Sequence, residues 1–165
     1  MKTLQQIIDY RQYDFDELPE SDRQLIEAAK EATRRSYAPY SRFHVGAAIR
    51  LANGEIITGA NQENAAFSSG TCAERSACFY ASARHPGVAM RKIAIAANSR
   101  TGHPDDAPYE ATFQKSPISP CGACRQALLE YENLYGDMEV LLFGLDGVYV
   151  FPSVKSLLPF CFTEF

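Results

Sequence analysis

The chain has no tryptophan, and its basic residues are outnumbered: 16 Lys and Arg stand against 20 Asp and Glu, a net charge of −4 at pH 7. That balance argues against a nucleic-acid binder, whose affinity comes mainly from clustered Lys and Arg. A reader of single strands would also need a basic channel with stacking aromatics. Cysteines are few and odd in number, five in 165 residues, so they do not form a disulfide framework. No apolar run approaches the length of a membrane span. The opening MKTLQQIIDYRQYDFDELPE is too polar for a signal-peptide core, and the sequence predicts a cytoplasmic protein with reduced thiols. Internal repeats, low-complexity tracts and dividing linkers are also absent. With 46% apolar and 22% charged residues, residues 1–165 read as one domain with a substantial core.

What is present alternates between helical and strand patterns. Residues 1–20 read as an N-terminal extension, and the acidic DFDELPESDRQ as a solvated approach to a helix. Ser21 and Gln24 fit a capping box, with Leu25, Ile26, Ala29 and Ala32 following at helical spacing. Pro39 predicts an end to that helix near Tyr37. FHVGAAIRLANGEIITGAN reads as two strands joined at Asn53-Gly54. A helix from about Cys72 to Arg84 and a buried strand KIAIAAN, with Ile93 and Ile95 on one face, come next. Residues 99–119 hold Gly, Asp and three prolines and form the longest irregular stretch. A helix over 121–133 follows, then a strand pair turning at Asp146-Gly147, a short helix in PSVKSLL and the aromatic tail PFCFTEF. The expectation is an α/β fold of about five strands with helices packed on them.

Two cysteine motifs carry the chemistry. SSGTCAERSACFY and ISPCGACRQALLEY place Cys72 and Cys121 where helices begin, and N-terminal N–H groups favour thiolates there. Cys121 and Cys124 are three apart and share a helix face, and Cys72 can supply a third ligand from the other helix start; the alternatives are a structural zinc module or unligated core cysteines. Three protein ligands leave one corner of a zinc tetrahedron for water, as in a catalytic rather than a structural site. Cys78 is turned away from that face by its six-residue spacing, and Cys161 reads as a small buried hydrophobe. Glu74, two residues from a ligand, can accept a proton from water acidified by the metal. Three thiolates and one Zn²⁺ leave net negative charge, which a guanidinium from Arg75 can offset; Arg125 is a second candidate, or a salt-bridging surface residue.

CAER and PCGACRQ resemble the two zinc motifs of the short-chain, three-cysteine cytidine deaminases. YAPYSRFHVGAA resembles that family's first-strand segment, GANQENAAF its nucleoside-binding segment, and SLLPFCF its C-terminal segment. The likeness covers most of residues 25–162 and implies a mixed five-stranded sheet flanked by helices, one Zn²⁺ per chain and a homotetramer with shared active sites. It implies deamination of cytidine and deoxycytidine, with Cys72, Cys121 and Cys124 on zinc and Glu74 shuttling protons between water, N3 and the departing amine. Asn61 and Glu63 would hold the ribose 3′-hydroxyl; the Ala73 N–H and Ser119 carbonyl would read the base edge. Phe43 would pack on the pyrimidine, or serve as a core aromatic. Phe162 would reach a neighbouring chain's site. Two departures stand out: Phe67 occupies a position where many relatives carry tyrosine, and the 99–119 insertion is long, either a lid or a surface elaboration. Rival readings are a polynucleotide deaminase, a deaminase of the blasticidin S type, which Asn61-x-Glu63 disfavours, and a non-catalytic zinc module, which Glu74 disfavours.

Overall fold

The computed structural model describes residues 1–104 and 106–163. Asp105 of the insertion and the last two residues of the aromatic tail therefore lie outside the described residues. Among the described residues, six strands form one sheet in the order β1-β6-β5-β4-β2-β3: β1 Arg11–Tyr13, β2 Phe43–Leu51, β3 Ile56–Ala60, β4 Met90–Ser99, β5 Glu139–Gly144 and β6 Gly147–Phe151. Only β4 and β5 run parallel, joined through helix α3, Gly122–Tyr135; the other pairs are antiparallel. Helices α1, Glu20–Ala32, and α2, Ala73–Arg84, complete the layers.

Alternation along the strands sets the two faces. Ala47, Ile49, Ile93, Ile95, Val140 and Leu142 pack with α2 and α3, whereas Ala48, Ala94, Ala96, Leu141 and Phe143 pack with α1. Small residues on the α1 side allow close approach: a Cβ at Gly46 would lie 2.1 Å from the Ala29 carbonyl oxygen.

The structure corrects several expectations. The sheet has six strands rather than five, because Arg11–Tyr13 within the N-terminal extension pairs with β6, and Tyr10 stacks on Phe151. Helix α1 begins at Glu20, so Ser21 lies inside its first turn and no side chain caps it; the Pro19 carbonyl accepts from Asp22 and Arg23 N–H. The acidic approach is not wholly solvated: Leu18 and Asp22 are buried, and both Asp22 oxygens accept from Lys92 Nζ. The helix ends at Ala32 and tightens into a 3₁₀ turn over Thr33–Arg35.

The second half of the insertion is clamped to α1. Tyr109 shares a hydrogen bond with Thr33, Glu110 pairs with Lys30, and Phe113 packs edge-on against Phe143 beneath the Lys30 ammonium.

Candidate active site

Helices α2 and α3 start side by side, and each uses a cysteine as its N-cap. Cys72 and Cys121 have extended backbone, and their carbonyls accept the first helical bonds from Ser76 and Arg125. Cys124 sits one turn into α3. The three sulfurs lie within 4.8 Å of one another, with Cys72 to Cys121 at 3.9 Å and Cys121 to Cys124 at 3.4 Å. Zn–S bonds of about 2.3 Å in a tetrahedron separate their sulfurs by roughly 3.8 Å, so this donor set fits a zinc ion with little movement. Cys78 is buried elsewhere on α2, and burial raises its thiol to about 12. Cys161 is exposed, against the buried position expected for it.

The cluster is strongly polarised. The neighbouring Cys124 thiol, assisted by the Arg75 guanidinium, lowers the Cys72 thiol to about 5, and the proximity of Cys72, together with burial, raises Cys124. Arg75 Nη2 lies 4.0 Å from the Cys72 sulfur, and its buried Nε has no hydrogen-bond partner among the described residues. Arg125 does something else: Nε donates to the Pro120 carbonyl and Nη1 to that of Leu157. It holds backbone around α3, and among the described residues it touches no sulfur and makes no salt bridge.

Glu74, in the first turn of α2, is 4% exposed. Burial raises its pKa, partly countered by a backbone N–H and by Arg75. The carboxyl is thus kept nearer to holding a proton than an exposed glutamate would be.

A cavity of about 660 Å³ opens beside the cluster, with Cys72 and Arg75 among its walls and Asn61 and Glu63 also lining it. The end of β3 carries Asn61 and Glu63 into it. Glu63 Oε2 accepts from the backbone N–H groups of Tyr40 and Ser41, and with the Ser41 hydroxyl these hold its pKa below the usual carboxylate range. Sequence reasoning missed this turn. The sequence carries no signal for it, since the positive φ of 55 falls on Arg42 rather than on a glycine. Phe67, also in the cavity wall, is 96% exposed.

Other expected contacts do not line this cavity within the single chain. Phe43 opens β2, half-buried, with its carbonyl accepting from Asn61 Nδ2. Ala73 is buried at the first position of α2, and Ser119 is exposed just before the second motif. Phe162 is exposed, its carbonyl held by Gln126 Nε2. Among the described residues, none of the 99–119 segment lines this cavity, and its second half is part of the interior, with Thr112 and Phe113 buried.

Residues 19–135 match the model of the cytidine and deoxycytidylate deaminase zinc-binding region. A cytidine deaminase of Halalkalibacterium halodurans is 41% identical over 145 residues, covering 86% of this chain and 95% of its own length. One from Sporosarcina psychrophila is 38% identical, over 85% of this chain and 90% of its own. The crystal structure of cytidine deaminase from Burkholderia pseudomallei superposes with a TM-score of 0.67 at 40% identity, covering 84% of this chain and 97% of that one. The matched region contains both cysteine motifs, and the chain belongs to the cytidine deaminase family of zinc-dependent hydrolytic deaminases.

Proposed function

We propose that the chain hydrolyses cytidine and deoxycytidine to uridine and deoxyuridine, releasing ammonia, as a step of pyrimidine salvage in the cytoplasm. The observation that carries this reading is a three-cysteine cluster whose Cys72 lines a cavity shared with a carboxylate and an amide, Glu63 and Asn61, suited to a sugar hydroxyl. Cys72, Cys121 and Cys124 would hold the zinc, which would supply Lewis acidity toward water at neutral pH. Glu74 takes one proton from the attacking water and delivers it to N3 of the base, then takes the remaining proton of the hydroxyl added at C4 and passes it to the departing amine, so that uridine keeps the N3 proton and ammonia leaves. Its burial beside Cys72 keeps bulk water from competing for that proton. Arg75 draws charge from the Cys72 sulfur. Asn61 and Glu63 hold the 3′-hydroxyl, the Ala73 N–H and Ser119 carbonyl contact the base edge, and Phe43 flanks the pyrimidine.

The active unit is a homotetramer in which Phe162 of one chain completes a neighbour's site. An exposed Phe67 and an exposed Phe162 on one chain are the support for a shared site. Residues 1–165 act as one domain, with 1–20 and 99–119 as additions to it.

The test measures zinc per chain and follows ultraviolet absorbance with cytidine, deoxycytidine, cytosine, adenosine and blasticidin S. Turnover of the first two with one zinc per chain supports the proposal; turnover of blasticidin S alone replaces it with the antibiotic reading. Mixed oligomers of Glu74→Gln and Phe162→Ala chains should recover activity, and verified mixed oligomers without recovery refute the shared site.

A further inference from the structure

The Asn61 side chain has almost no freedom left. Its Oδ1 accepts from the Val45 backbone N–H at 2.8 Å, and its Nδ2 donates to the Phe43 carbonyl at 2.9 Å. Both partners have fixed polarity, so the amide can face only one way. The Ser36 Oγ lies 2.5 Å from the same Oδ1, which can only accept; the serine hydroxyl must therefore be the donor. Both Oδ1 lone pairs are then filled, and one Nδ2 hydrogen remains for a ligand in the cavity. On Glu63, Oε2 takes the Tyr40 and Ser41 N–H groups. A donor on Asn61 thus shares a cavity with a carboxylate acceptor on Glu63, which suits one hydroxyl that accepts from the first and donates to the second.

We infer that Ser36 is a positioning residue for sugar recognition: its hydroxyl locks the Asn61 amide so that the free Nδ2 hydrogen is presented to the nucleoside's 3′-hydroxyl. This rests on the sugar contact proposed above. Ser36 follows the 3₁₀ turn after α1, and its own backbone N–H is bonded to the Thr33 carbonyl, so the lock is anchored on a packed element. Without the hydroxyl, the amide keeps the Val45 and Phe43 backbone bonds but loses the third bond that holds Oδ1, so it is less tightly fixed in that orientation.

The experiment compares kcat/KM for cytidine and 3′-deoxycytidine in the parent, Ser36→Ala, Ser36→Thr, Asn61→Ala and the Ser36→Ala/Asn61→Ala pair, with zinc content and Tm measured for each. Ser36→Ala is expected to lower kcat/KM for cytidine by about two- to tenfold, the range for one neutral hydrogen bond, chiefly through KM. The value for 3′-deoxycytidine stays unchanged, Ser36→Thr retains parental kinetics, and Ser36→Ala adds no loss on top of Asn61→Ala. Equal losses on both nucleosides, no loss on either, or full additivity with Asn61→Ala overturns the inference. If Ser36→Ala fails to fold, Ser36→Cys, a weak donor of similar volume, must show the same selective loss or the inference falls. A parent enzyme that treats the two nucleosides alike removes the sugar contact itself, and the inference with it. A discriminating parent with an unaffected Ser36→Ala removes the inference alone.

Discussion

Helix α2 carries Cys72 at its cap and Glu74 and Arg75 in its first turn, and it rests directly on the backbone of β3 at Gly59. A Cβ at Gly59 would lie 2.4 Å from the Ala77 amide nitrogen and 2.6 Å from the Ala73 carbonyl oxygen. Both are about 1 Å inside ordinary contact, which begins near 3.4 Å. Because both are backbone atoms, no side chain can rotate aside; the helix must withdraw or β3 must bend. Gly59→Ala is therefore expected to cost about 1–3 kcal/mol, as for overpacking generally, lowering Tm by roughly 2–12 °C for a domain of this size. The larger effect falls on catalysis. A helix displaced by about 1 Å misplaces the carboxyl against the reacting atoms, and misplacement of that size costs on the order of a hundredfold. Calorimetry with zinc analysis and steady-state kinetics on cytidine measures both. Gly54→Ala is the control: its Cβ meets nothing within 4 Å, and its φ of +89 sits in the hairpin turn, so it should lose some stability and no kcat/KM. Parental Tm and kcat/KM for Gly59→Ala would refute the claim that α2 is set by backbone contact with β3.

Glu132, 1% exposed, accepts from the Met138, Val154 and Lys155 N–H groups. Glu132→Ala should destabilise by about 3–5 kcal/mol and Glu132→Gln by clearly less, since one oxygen still accepts; equal urea midpoints would contradict this. Arg75→Gln should retain zinc but lower kcat about tenfold. A charge pair 4 Å apart is worth about 4 kcal/mol at an effective dielectric of 20, and the open cavity discounts most of that. In the zinc-free protein the same variant should shift the pH profile of Cys72 alkylation upward; an unmoved profile would show that Arg75 does not stabilise the thiolate. Native Cys78, raised to about 12 by burial, should resist alkylation at pH 8 while exposed Cys161 reacts. Because the folded pKa is the higher one, Cys78 contributes stability that is complete below about pH 9 and is lost as pH rises towards 12. A flat stability profile across that window would refute the assignment.

Features written in local pattern were legible in the sequence. The two cysteine motifs announce helix starts because a thiolate and a helix N-terminus suit each other over a few residues, and Asn53-Gly54 fixes its hairpin within four. Alternation placed Ile93 and Ile95 together, as found in the core shared with α2 and α3. What escaped depends on partners far along the chain. Strand β1 is three residues, RQY, with no strand pattern of its own; it exists because β6 offers an edge. Asp22 looks like a solvated helix-start acid until Lys92 is brought to it across the sheet. The Ser36 bond to Asn61 spans 25 residues, and Arg125 differs from a surface cation only because the Pro120 and Leu157 carbonyls converge on it.

The central claim, that a buried carboxyl beside a three-thiolate zinc moves the protons of deamination, is tested most directly with Glu74→Gln. The variant removes the titrating group while keeping its size and place in the first turn of α2. Zinc per chain, Tm and uridine formation from cytidine are measured on parent and variant side by side. The account predicts unchanged zinc and fold, with kcat at least about a hundredfold lower, the lower range for losing a general acid–base group; near-parental turnover in a zinc-loaded Glu74→Gln chain would contradict it.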